Sequence, residues 1–243
     1  TASGYQTLYY NTSGYQNAAF GSNALTVSTG NNNTAVGFNS LSNNTTASNN
    51  TASGYGSLYS NNTGASNTAS GYESLRSNTT ASNNTALGYQ SSYTNATGTP
   101  NTAVGYQALY SNVAGNNTAT GYQALKTNTT GVENTAFGDS AFLQNTTGLQ
   151  GVAVGREALK NNTTGSLNSA IGFQALYSNT TGARNSALGH SVLSSATTAN
   201  DNTGLGYYAL VFNTTGGTNT AVGASALYSN TTASNNTAVG YQA

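Results

Sequence analysis

Few of the 243 residues carry groups able to do acid–base, nucleophilic or metal chemistry. There is one histidine, His190, with five carboxylates, five cations and no cysteine. A lone His190 could serve as base or ligand. No second histidine exists to share a metal, however, and the one carboxylate at its repeat position, Asp139, lies three repeats away. We read His190 as an exposed repeat position. Gly204-Leu205-Gly206 has the glycines of a nucleotide loop without the strand–helix context that gives such a loop its function,. Asn-x-Ser/Thr sequons recur at Asn78, Asn128, Asn145, Asn179, Asn213 and Asn230. They follow from recurring Asn-Thr-Thr turns and are expected to put those turns at the surface. The expectation is no enzyme, with no catalytic residue, no cofactor and no metal.

Composition narrows the rest. Asn, Thr, Ser and Gly make up more than half of the chain, and charged residues only 4%. An average globular domain has roughly 25% charged residues. Net charge is zero, so the basic footprint of a nucleic-acid binder is missing,. No apolar run approaches the ~20 residues of a membrane span, and no signal-like segment is present. Disordered chains are usually charged and poor in aromatics. This chain is neutral and has 17 Tyr and 6 Phe, which favours stacked β-structure.

The organising feature is a repeat, clearest in Asn101-Thr-Ala-Val-Gly-Tyr-Gln-Ala-Leu109. Each copy is indexed on its central glycine, from Gly4 to Gly240. All fifteen such positions are Gly, 17 residues apart except for two steps of 16, Gly21 to Gly37 and Gly105 to Gly121. Position −2 is Ala in fourteen of fifteen copies, with Gly204 the exception. Position −4 is Asn in thirteen of fourteen, with Gly151 the exception. Position +4 is Leu in twelve of fourteen, Ser92 and Phe142 being the others. Position +1 is Tyr or Phe in ten of fifteen.

Helices do not suit this unit. Its glycines cost about 1 kcal/mol each in a helix interior, and no break-free window reaches the ~12 residues an isolated helix needs. Thr-Ala-Val-Gly-Tyr and Ala-Leu-Tyr read instead as two short strands bounded by Asn-Thr-Thr-Gly turns. The spacing predicts an all-β parallel β-solenoid (β-roll) of about 14 coils with a 17-residue repeat over residues 1–243, a single array. At ~4.8 Å per coil, that array would be a rod of roughly 65–70 Å.

In such a stack like residues lie above one another. Leu58, Leu75, Leu109 and Leu125 are the expected core fillers. Asn50, Asn67, Asn84 and Asn101 are expected to form a ladder, each amide donating to the next and accepting from the previous one. Tyr55, Tyr72, Tyr89, Tyr106 and Tyr122 are expected to stack as an outer column, a candidate contact surface. Tyr at +5 should stack likewise. Asp139 and Arg156 share +1 in adjacent copies, and Glu133, Arg184 and Asp201 share +12. No charge occurs from −4 to 0, or at +3 and +4, so those positions are expected to be buried or interfacial. Which face carries position −1 is left open by the imperfect alternation.

The Asn-Thr/Ser-Ala-x-Gly repeats with a polar turn resemble the parallel β-roll head repeats of trimeric autotransporter adhesins. The longer form, Asn-Thr-Ala-x-Gly-Tyr-x-Ala-Leu-x-x-Asn-Thr-Thr-Gly, is more similar still to shafts of bacterial and phage tail-fibre-like proteins, which often precede a self-cleaving chaperone domain. The resemblance covers essentially the whole chain. It implies a homotrimer with apolar faces shared around a three-fold axis, in an extracellular, cell-surface or virion setting. Separately, the array is expected to be a fragment of a longer fibre, because it starts at Thr1 and stops at Ala243 inside a motif with no capping repeat, and bare terminal coils expose strand edges,. Self is the implied partner, with no nucleic acid. The functional expectation is a structural fibre shaft, a stiff spacer taking part in adhesion. The alternatives are a lectin-like surface for glycans and, third, ice binding through a Thr column.

Overall fold

The computed structural model describes residues 1–243. The protein is an all-β parallel β-solenoid of about fourteen coils, with one short strand per coil and no helix. It divides into two compact units, Thr1–Thr118 and Ala119–Ala243. The first holds β1 (Ala2–Ser3), β2 (Ala18–Phe20), β3 (Thr34–Val36), β4 (Thr51–Ser53), β5 (Thr68–Ser70), β6 (Thr85–Leu87) and β7 (Asn101–Val104). The chain passes from one unit to the other within β8 (Asn117–Thr120). The second unit holds β9 (Thr135–Phe137), β10 (Val152–Val154), β11 (Ser169–Ile171), β12 (Ser186–Leu188), β13 (Thr203–Leu205), β14 (Thr220–Val222) and β15 (Thr237–Val239).

Within each unit every strand pairs in parallel with the next in the repeat register. Ala35, Ala52, Ala69, Ala86 and Ala103 align in the first unit. Ala136, Ala153, Ala170, Ala187, Gly204 and Ala221 align in the second. The 16-residue step leaves this register intact, because Ala19 still pairs with Ala35. Its missing residue falls in the turn, where Ser28-Thr29-Gly30 replaces the usual Asn-Thr-Thr-Gly.

The second expected strand, Ala-Leu-Tyr, is absent. The stretch after the glycine is a run of turns in which alternate residues are left-handed. At +2 the φ angle is near +50 to +60°, as in Gln107 (52°) and Gln123 (53°). At +4 it is again positive, as in Leu58 (50°), Leu75 (48°), Leu109 (51°) and Leu125 (50°). A left-handed leucine costs roughly 1–2 kcal/mol, so β-propensity could not reveal this path. The compensation is that the ladder continues. Gly56 donates its N–H to Phe38 O of the preceding coil (2.9 Å), while Leu58 and Ser60 donate to Ser74 O and Arg76 O of the following one (both 3.0 Å). Main-chain groups are thus paired along the stacking direction outside the strands as well as inside them.

The central glycine has two reasons to be glycine. Its φ lies between +126 and +144°. A Cβ at Gly71 would also meet Gly88 O of the next coil at 2.4 Å. The same applies at Gly172, whose Cβ would lie 2.2 Å from Gly189 O.

The interior is thin. Ala at −2, Ala or Ser at +3 and Leu at +4 are fully buried in nearly every coil, including Leu58, Leu75, Leu109 and Leu125. Position −1, the residue after the buried alanine, faces outward, as in Leu87, Phe137 and Leu188. Threonines at −3, such as Thr51 and Thr85, are also exposed.

Most exceptions to the repeat compensate one another within a single coil. A Cβ on Gly151 would lie 2.4 Å from Phe142 Cε1, so the larger core residue requires the missing asparagine. A Cβ on Gly204 would lie 2.4 Å from Val192 Cγ1, so valine at +3 requires glycine at −2. Ser92 has no such partner. It takes the place of a core leucine with the same left-handed φ (52°), and its buried hydroxyl makes no hydrogen bond.

Two outcomes are expected in thermal melts. Ser92→Leu should stabilise the chain by about 2 kcal/mol, because it restores apolar burial and removes an unpaired hydroxyl. Leu109→Asp should destabilise it by about 4 kcal/mol or more, since a carboxylate would enter a closed apolar column. A parent-like melting curve for Leu109→Asp would refute this account of the core.

Candidate functional site

Opposite the apolar half, each coil interior is polar. In the coil of Gly54, Asn50 at −4 and Asn61 at +7 both point inward and are fully buried. Each donates through Nδ2 to one carbonyl, Gly64 O, at 2.9 Å. Gly64 packs closely on the next coil, where an added Cβ would sit 2.2 Å from Ala81 O. Equivalent residues along the chain are Gly or Ala.

Both asparagines also link coils. Asn67 N–H donates to Asn50 Oδ1 (2.9 Å), and Asn84 N–H to Asn67 Oδ1 (2.9 Å). The ladder through Asn50, Asn67 and Asn84 therefore differs from the expected amide-to-amide chain, and it does not continue to Asn101, because Asn84 Oδ1 has no partner. The backbone N–H is its main donor, and Nδ2 is directed mostly across the coil. Direct amide contacts supplement it at some steps, such as Asn84 Nδ2 to Asn67 Oδ1 (3.2 Å).

The amide-to-amide chain lies in the +7 column. Asn61 donates to Asn44 Oδ1 (2.8 Å) and Asn78 to Asn61 Oδ1 (2.6 Å). Asn145 donates to Asn128, Asn162 to Asn145, and Asn179 to Asn162, at 2.6–3.0 Å. These are the sequon asparagines expected at the surface. Asn78, Asn128, Asn145, Asn179 and Asn213 are instead fully buried, and only Asn230, in the last coil, is half-exposed. The threonines that follow do face outward, and the first of each pair ties coils together. Thr146 Oγ1 donates to Thr163 O and Thr163 Oγ1 to Thr180 O, both at 3.0 Å. Sequence reasoning treated Asn-Thr-Thr as a turn signal alone. The one hint it overlooked was that +7 is nearly as regular as −4, Asn in twelve of fourteen copies.

The ladders break where the repeat does. Ala196 replaces the +7 asparagine and leaves the buried Asn179 Oδ1 without a partner. Pro100 stands at the position five before the glycine, which is left-handed in the other coils, as at Asn49, Asn83 and Arg184. The proline ring holds φ near −65°. Asn84 Oδ1 below it is unpaired, and so is Asn78 Oδ1, which faces the same coil.

Outside, Phe38, Tyr55, Tyr72, Tyr89 and Tyr106 form a stacked column with ring centroids 5.1–5.4 Å apart and planes within 16°. Tyr122, in the second unit, is exposed at the same position. At +5, Tyr93 stacks on Tyr110 at 5.1 Å, and Arg76 lies over the rings of Tyr59 and Tyr93. A glutamine column at +2, which the sequence reading did not single out, runs from Gln107 to Gln90 Oε1 (3.1 Å) and on to Glu73 Oε2 (3.0 Å).

Charges are placed by the same stacking. Arg156 Nε lies 3.9 Å from Asp139, and Arg184 makes two contacts to Asp201, at 2.6 and 2.8 Å. Within coils, Glu73 meets Arg76 at 3.2 Å and Glu157 meets Lys160 at 2.8 Å. Hydrogen bonds from Lys160 and Gln174 hold the Glu157 carboxyl below its ordinary range, and Glu157 in turn raises Lys160. His190 is exposed, packed between the rings of Phe173 (5.0 Å) and Tyr207 (5.3 Å), with Nδ1 3.0 Å from the Ser191 hydroxyl. No group of three or more His, Asp or Glu is placed to hold a metal ion.

No protein-family model matches the chain, and neither a curated protein nor a solved structure does. No helix is long and apolar enough to cross a membrane.

Asn162→Ala should cost on the order of 3 kcal/mol, because it leaves Asn145 Oδ1, Gly165 O and an Asn179 N–H unpaired in the interior,. Ala196→Asn should act in the opposite sense, by about 1 kcal/mol, by completing the column. Thermal melts of both variants check this pair, and similar signs for the two would contradict it. The Glu157–Lys160 contribution should be present above the ordinary carboxylate range and be lost as pH falls through the depressed Glu157 value. Melting temperature against pH should thus fall more for the parent than for Glu157→Gln, by an amount within the ~0–1 kcal/mol of a surface pair.

Proposed function

We propose that the chain is the shaft of an extracellular or virion fibre of the adhesin or tail-fibre kind, a stiff spacer that holds a binding tip away from its anchor. The observation that carries this reading is the continuity of bonding along the stack. Strands, left-handed turns, two asparagine columns and a threonine column all hydrogen-bond from coil to coil. Local opening must break several of these at once, which favours rigidity and resistance to proteolysis. The five cations, the trypsin-type cleavage points, fall in only four of the fifteen repeats.

The homotrimer belongs to this proposal. Positions −1 and +1 place apolar and aromatic side chains outward in nearly every coil, as in Val36, Phe38, Leu87 and Tyr89. Exposed apolar surface of this kind is usually covered by a partner, and copies of the same chain would meet in register. Glycan binding through the Tyr column is less well supported. In that column the inner ring faces are already stacked on neighbouring rings, so mainly edges and hydroxyls remain for a sugar.

Sedimentation and limited proteolysis of the purified chain test the reading together. The expected result is a species of three times the chain mass that survives trypsin and proteinase K under native conditions. A stable monomer would remove the trimer, and rapid native-state cleavage would remove the spacer role.

A further inference from the structure

The stacking sorts most Asn-x-Ser/Thr sequons into two sets that the sequence alone does not separate; Asn43-Asn44-Thr45 and Asn161-Asn162-Thr163, which start one residue before the +7 asparagine, belong to neither. In the first set, at +7, the acceptor atom is fully committed. Asn145 Nδ2 donates to Asn128 Oδ1 (2.7 Å) and to Gly148 O (2.9 Å), and Asn162 Nδ2 donates to Asn145 Oδ1 (3.0 Å) and Gly165 O (2.9 Å). Both hydrogens of each amide are used, and both residues are fully buried. The sequon hydroxyl two residues on is not the obstacle, because Thr147 is exposed.

In the second set the acceptor lies five before the glycine, in Asn32-Asn33-Thr34, Asn49-Asn50-Thr51, Asn83-Asn84-Thr85, Asn116-Asn117-Thr118 and Asn235-Asn236-Thr237. Here Asn49, Asn83 and Asn116 are exposed, at left-handed φ of 61–63° that turns the side chain away from the coil. The hydroxyl residues Thr51, Thr85 and Thr118 are exposed as well. The buried residue between them, Asn50, Asn84 or Asn117, is the ladder asparagine and has no part in the transfer.

We infer that the asparagines five before the glycine, Asn49, Asn83 and Asn116 among them, are N-glycan acceptor sites of the folded chain, and that Asn145, Asn162 and the other buried +7 asparagines are closed to the same modification once coils stack. The donor is an oligosaccharide on a polyprenyl pyrophosphate. Asn Nδ2 forms a bond to the sugar C1, the bond from C1 to the pyrophosphate oxygen breaks, the lipid pyrophosphate leaves, and one Nδ2 proton passes to a carboxylate of the transferase. At Asn145 that step would remove an N–H used by the ladder and bring a sugar into an interior that has no room for it. Folding and modification exclude each other there, whereas at Asn49 they do not. The inference is independent of the fibre-shaft reading.

The test incubates the folded full-length chain with a purified single-subunit oligosaccharyltransferase of the Asn-x-Ser/Thr type and a chitobiose-bearing polyprenyl pyrophosphate. Occupancy is read site by site by mass spectrometry. A synthetic peptide of residues 142–149 serves as the unfolded comparison. The expected result is sugar at Asn49, Asn83 and Asn116, less than a tenth of that occupancy at Asn145 and Asn162 in the chain, and efficient transfer to Asn145 in the peptide. Occupancy of Asn145 or Asn162 in the folded chain overturns the inference. So does an unmodified peptide, or a folded chain left bare at Asn49, Asn83 and Asn116.

Discussion

Hydrogen bonding parallel to the stacking direction is the constraint from which the other features follow. To keep main-chain groups aimed at the neighbouring coils all the way round, the backbone must reverse its carbonyls after the strand, and it does so by entering left-handed conformations at 0, +2 and +4. Only glycine fits the first of these, because the next coil's carbonyl lies where a side chain would begin. Leucine is forced into the last, where its φ is unfavourable but its side chain fills the apolar half. The thin interior then favours alanine at −2, and close contact with the next coil's carbonyl and the asparagine amides favours glycine or alanine opposite the two asparagines. Hardly any interior position is free to vary alone.

Polar residues form half of this interior, which is unusual for a fold so poor in charge. Burying an amide is tolerable only when its donors and acceptors are satisfied. The asparagine columns meet that condition by repetition, since each coil supplies the partner the previous one needs. The same logic explains where the structure is weakest. The coil between Gly88 and Gly105 departs from the pattern at Ser92 and Pro100, and three buried oxygens at or against it, those of Asn78, Asn84 and Ser92, have no partner.

The sequence made the fold class legible because its period is exposed to direct counting. Fifteen glycines at near-constant spacing, with Ala and Leu in fixed places, fixed the register and the buried columns through Leu58 and Leu109. Two things were not legible. The turn run after the glycine looked like a strand, because propensity scales average over ordinary backbones and have no term for leucine at φ of 50°. The burial of Asn61 or Asn145 was hidden because Asn-Thr-Thr has the same composition as an exposed turn, and only three-dimensional pairing distinguishes the two. The outer aromatic column followed from the period, but the loss of its ring faces to stacking did not.

The compensating replacements carry one more consequence. Phe142 with Gly151, and Val192 with Gly204, each lie inside a single coil, whereas the contacts between coils use nearly the same residues at every level. A coil therefore behaves as a self-contained cassette with standard upper and lower surfaces. Unequal recombination that gains or loses seventeen codons would leave both faces matched, so within such an array length can drift freely while cross-section cannot.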